Sequence, residues 1–137
     1  MKTKTIRFAS IGFISLSVLS IFSVSMMAFI NPQQVMDLVQ VNLGNNDAYS
    51  SIRGVYGGVG ISIVGVIIYL SRLSLSKALG FLTMFWGMYG LSRVITIVVE
   101  GKLGAFGTQW LITEACFTAI SLGLFAASYG RSRFAVN

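Results

Sequence analysis

Four long apolar runs leave this chain few ways to fold. They cover residues of about 8–30, 48–70, 78–99 and 109–129. Each is close to the roughly 20 residues that a helix needs to cross the hydrocarbon of a bilayer. Only helices and closed barrels satisfy their own backbone groups in lipid. The runs show no two-residue alternation, so they read as helices. The expected fold class is an all-α membrane protein, a four-transmembrane-helix bundle forming a single domain over residues 1–137.

The charges agree with this reading. Only 10% of residues are charged, and mean hydropathy is +0.80, whereas a soluble domain carries roughly 25% charged residues. The net charge of +6 does not point to nucleic acid, because the basic residues flank the apolar runs and form no stripe with interleaved aromatics. Lys2, Lys4, Arg7, Arg72, Lys77, Arg131 and Arg133 share one side of a four-span protein, and none of the four acidic residues joins them. The positive-inside rule then predicts cytoplasmic termini. The first run competes with a signal peptide. It is longer than a signal core of about 7–15 residues and lacks a small-residue cleavage site, so it reads as a retained span.

The connection at residues 31–47 predicts a short amphipathic helix on the outer surface. Asn31 suits an N-cap and Pro32 the first helical position, with Val35, Leu38 and Val39 on one face. Asn46 or Asp47 is the expected cap of the second span, and Thr108 that of the fourth.

The chain has no His and one Cys. Intrachain disulfides, histidine-ligated haem and the usual zinc sites are therefore excluded, and no cofactor or metal is expected. Cys116 reads as a small core residue. Met84 and Met88 read as core filling rather than a soft-metal site. "GVYGGVG" lacks the spacing and lysine of a phosphate-binding loop. Gly54, Gly58 and Ser62, and likewise Ala115, Ala119, Gly123 and Ala127, recur at four-residue steps. Such rows predict close helix contact.

Three charges lie inside the spans. Arg53 follows Asp47 by six residues, Arg93 precedes Glu100 by seven, and Glu114 follows Thr108 by six. At the helical rise each lies about 9–10 Å below the outer end of its span. Charges in hydrocarbon persist when paired. Glu114 is thus the expected partner of Arg93 and Arg53, with Glu100 above them at the rim. Tyr56, Trp86, Tyr89, Thr96 and Trp110 neighbour this cluster at helical spacing. The cluster is either a structural brace or the wall of a ligand site.

"NPQQVMDLV", "DAYSSIRGVYGGVG", "WGMYGLSRVITIVVEG" and "FGTQWLITE" together resemble a family of small bacterial four-helix inner-membrane proteins, catalogued as a domain of unknown function. The resemblance implies architecture and a bacterial membrane, and it brings no activity. The family's charged positions match Arg53, Arg93, Glu100 and Glu114. The plan is also similar to DoxX-type membrane proteins, by fold-level analogy alone.

The residues favour a non-enzymatic accessory subunit or small-ligand or lipid-binding bundle. The expected partners are membrane lipids and a homodimer or larger membrane complex. One alternative is a small dimeric transporter of an anionic or amphipathic solute. Another is an intramembrane isomerase using Glu114 and Glu100 on a lipid-like substrate. Neighbouring arginines disfavour it, since positive charge makes a carboxylate a poor proton donor.

Overall fold

The computed structural model describes the backbone of residues 2–134 and the side chains of residues 4–128. The side chains of Lys2, Arg131 and Arg133, which enter the orientation argument, lie outside the described residues. The helices are α1 (Lys2–Ile30), α2 (Pro32–Asp37), α3 (Asn46–Ile52), α4 (Val59–Leu73), α5 (Leu75–Val99) and α6 (Ala105–Phe134). A π-helical segment, Arg53–Gly58, joins α3 to α4. The fold is all-α, and no strand occurs among the described residues. Four stretches are long and apolar enough to cross a membrane: Lys4–Ile30, Asn46–Leu73, Leu75–Val99 and Ala105–Ser128. This is the pattern of a multi-pass membrane protein.

The chain divides into two compact units, residues 15–69 and residues 1–14 with 70–137. In the first unit, α1 ends where Pro32 could not continue it. Asn31 takes an extended conformation, and its side chain accepts a hydrogen bond from the Gln33 N–H at 3.2 Å, with Pro32 in the first turn. The short helix α2 therefore starts where expected but is only six residues long. Val35 and Met36 are buried against Ala28, with Met27, Leu43, Ile52 and Tyr56 around them. Leu38 and Val39 fall in the following turn and are exposed. The expected single apolar face is thus split between core and surface.

Gln33 holds the rest of this connection. Its Nε2 donates to Asp37 Oδ1 at 2.7 Å and to the Val41 carbonyl at 2.9 Å, while its Oε1 accepts from the Leu43 N–H at 2.9 Å. The second span is capped by Asn45, whose side chain accepts from the Ala48 N–H at 2.9 Å. The cap is one residue earlier than expected, because Asn45 is the last residue with an extended backbone. Three of the six residues in the π segment are glycine, and glycine holds a regular α-helix weakly. Two glycines set the approach to α1. A Cβ on Gly57 would lie 3.1 Å from the Phe29 ring, and one on Gly60 would overlap the Ser25 hydroxyl.

In the second unit, α5 and α6 form an antiparallel hairpin, as their short connection requires. Glu100 and Gly101 both donate their N–H groups to the Thr96 carbonyl, and Gly101 takes φ +100°. This left-handed turn stops α5, a role that suits glycine. α6 begins at Ala105, so Thr108 lies inside the helix, where its hydroxyl donates to the Gly104 carbonyl. It is not the cap expected from the sequence.

Glycines on α5 make room for α6. A Cβ on Gly80 would lie 3.2 Å from the Phe125 ring, one on Gly87 3.6 Å from Thr118, and one on Gly90 4.0 Å from the Glu114 Cβ. Ala78, Leu79, Leu82 and Trp86 bury beside this seam. Trp86 meets Phe117 edge-on with centroids 5.0 Å apart, and Phe117 meets Phe13 at 5.4 Å. The small-residue rows named from the sequence lie elsewhere. Gly54, Gly58 and Gly123 have open space where a Cβ would stand, and Ala115 and Ala119 are exposed.

Candidate functional site

Arg93 lies two turns before the end of α5, and Glu114 lies in the N-terminal half of α6. Arg93 Nε donates to Glu114 Oε2 at 2.7 Å, and Arg93 Nη2 donates to Oε1 at 2.9 Å. The fork matches the carboxylate plane, which is the strong bidentate arrangement. The side chain of Glu114 is 2% exposed and that of Arg93 is 21% exposed. It is the one ion pair among the described residues.

Local packing explains the fit. Gly90 has no side chain where Glu114 stands on α6, so the carboxylate reaches the guanidinium one turn along α5. Below it, Thr118 donates to the Glu114 carbonyl at 2.7 Å, and Ser121 donates to the Phe117 carbonyl at 2.8 Å. Glu114 and Ser121 are buried and Thr118 is partly buried. The hydroxyls of Thr118 and Ser121 thus serve their own helix.

The other candidates make contacts of their own. Glu100 is exposed at the end of α5, with its backbone N–H on Thr96. The Thr96 hydroxyl donates to the Ser92 carbonyl at 3.0 Å. Trp110 packs on Phe106, with centroids 6.1 Å apart. Tyr89 packs against Phe85 at 5.0 Å and Trp86 at 6.4 Å. Arg53 and Tyr56 belong to the first unit. Tyr56 packs beside the Ala28–Val35–Met36 core, and Arg53 Nε donates to the Phe29 carbonyl at 3.2 Å.

One surface groove accompanies these residues. It has a volume of about 570 Å³ and is lined by Phe81, Met84, Phe85, Met88, Tyr89 and Ser92, all on α5. Its walls are apolar. Sequence reasoning placed Met84 and Met88 in the core, but they are 60% and 59% exposed. Cys116 was likewise expected inside and is exposed, because Glu114 and Phe117 take the inward positions on that turn. Apolar composition cannot separate these faces, since lipid receives an apolar side chain as readily as a core does.

The model of a domain of unknown function, DUF4345, matches residues 10–125. The chain belongs to this family. The matched DUF4345 segment contains the Arg93–Glu114 pair, Arg53, Glu100 and the whole lining of the groove. No curated protein and no solved structure matches the chain. The DUF4345 domain holds no group of three or more His, Cys, Asp or Glu side chains that could bind a metal ion, among the described residues.

Proposed function

We propose that this DUF4345 protein is a non-enzymatic protein of the bacterial inner membrane, with both termini in the cytoplasm, that holds a lipid-like molecule against α5. The observation that carries this reading is the closure of Glu114. Both of its oxygens are held by one guanidinium. A carboxylate so occupied is a poor general acid or base and a poor relay for a cation. That argues against the isomerase and against cation transport. The pair then acts as a brace, and the groove from Phe81 to Ser92 offers an apolar surface for a ligand. Its apolar walls suit an acyl or prenyl chain.

A role as accessory subunit or homodimer is favoured by a separate observation. The rows Gly54–Gly58 and Ala115–Ala119–Gly123 leave their small faces open, and such faces suit a second transmembrane helix.

The test is native mass spectrometry of the full chain after extraction with its lipids. The wild type is expected to retain one lipid-like species that Met84→Trp, which fills the groove, releases. Retention unchanged by the substitution would contradict the reading.

A further inference from the structure

The first unit contains one cation, Arg53, and two carboxylates, Asp37 and Asp47. Asp37 accepts a hydrogen bond from Gln33 at 2.7 Å. Asp47 lies in the first turn of α3, six residues before Arg53 and on another face of the helix. Within its unit Arg53 therefore has no carboxylate partner, although it lies inside the 28-residue apolar stretch Asn46–Leu73. An ionised side chain in that setting needs a counter-group or water.

The height of the guanidinium is fixed by its one bond. Arg53 Nε donates to Phe29, the penultimate residue of α1. The side chain thus reaches the last turn of α1, next to Asn31 and Pro32, where the apolar stretch Lys4–Ile30 ends. The contact satisfies a carbonyl that a helix end leaves without a partner. It also places the cation at the negative end of the α1 dipole. Nε is consumed, whereas the two Nη groups donate to nothing within the unit, and the residue is exposed. Arg53 also opens the π-helical segment, and such segments are frequent at functional sites.

We propose that Arg53 is a binding site for a phosphate group at the outer border of the membrane. The ligand class is a phosphate oxyanion, carried by a phospholipid headgroup or free in solution. The two Nη groups supply a planar, permanently charged fork suited to it. The bond to Phe29 holds that fork in place before the ligand arrives. Exposed Ile30 and Val55 flank the site with surface suited to an acyl chain. This site shares no residue with the lining of the α5 groove.

The experiment titrates the full chain in non-ionic detergent, read by native mass spectrometry, with three probes: dioleoyl phosphatidylglycerol, dioleoylglycerol and inorganic phosphate. The expected result is that the wild type binds phosphatidylglycerol at least tenfold more tightly than dioleoylglycerol, and that Arg53→Gln abolishes the difference while Lys102→Gln, which removes an exposed charge elsewhere, preserves it. Inorganic phosphate that binds, displaces phosphatidylglycerol and is lost with Arg53→Gln supports the same site with free phosphate as its ligand. Equal binding of the two lipids by the wild type, or a preference unchanged by Arg53→Gln, overturns the proposal. Should Arg53→Gln not fold, the dipolar coupling between ¹⁵N-labelled Arg53 Nη and lipid or inorganic ³¹P is read in wild-type protein in bilayers. Coupling supports the site and its absence overturns it.

Discussion

Arg93 and Glu114 face one another with two parallel hydrogen bonds, of 2.7 and 2.9 Å, across the α5–α6 hairpin. An arginine inside a span costs about 2.5–3.5 kcal/mol on insertion scales. A buried carboxylate costs several kcal/mol more. Each is the other's remedy, and the hairpin is the shape that lets them meet.

Removing one partner leaves the other charge uncompensated. Glu114→Gln is expected to destabilise the protein by about 3–5 kcal/mol. Glu100→Gln, at the exposed end of α5, is expected to stay within about 0.5 kcal/mol, the range of a surface substitution. Thermal unfolding in detergent checks the order. Equal effects would mean that depth is irrelevant to the pair.

Gly60 and Gly58 separate close packing from open surface. A Cβ at position 60 would overlap the Ser25 hydroxyl, whereas none would be met at position 58. Gly60→Ala should cost about 1–3 kcal/mol by overpacking. Gly58→Ala should be neutral or gain up to about 1 kcal/mol in helix propensity. Denaturation midpoints of the two variants are the measurement, and a tolerated Gly60→Ala would place α4 farther from α1 than described.

The sequence made the four spans legible because length and apolarity are what a bilayer demands. It also made Arg93 and Glu114 legible, since rise per residue puts them at one level and charge pairing does the rest. It did not reveal which way Met84, Met88 and Cys116 point. A lipid-facing position and a core position accept the same side chains, so those faces carry no signal in composition. The glycine seam of Gly80, Gly87 and Gly90 was hidden for a related reason. Glycines also occur at Gly54 and Gly58, where nothing packs, and only the register of two helices tells them apart. The Arg53–Phe29 bond joins residues 24 apart through a backbone carbonyl, which no side-chain pattern announces.

Gln33 provides a test of the connection between α1 and α3. It is the single side chain bonded to Asp37, Val41 and Leu43. Gln33→Leu should leave the Leu43 N–H without its acceptor, at a cost of about 1–3 kcal/mol. Hydrogen exchange at Leu43 is expected to quicken while exchange at Val64 in α4 stays slow. Unchanged protection at Leu43 would mean that another group holds the turn.

The brace itself is tested most directly by a double-mutant cycle on Arg93→Met and Glu114→Leu, read as unfolding free energy in lipid or detergent. Each single variant leaves a buried charge alone, while the double variant leaves none and fills the gap with apolar side chains of similar size. The account predicts two strongly destabilised single variants and a double variant restored to within about 1 kcal/mol of the wild type, or beyond it. A double variant as unstable as the sum of the two singles would show that Arg93 and Glu114 act separately, and would contradict the brace.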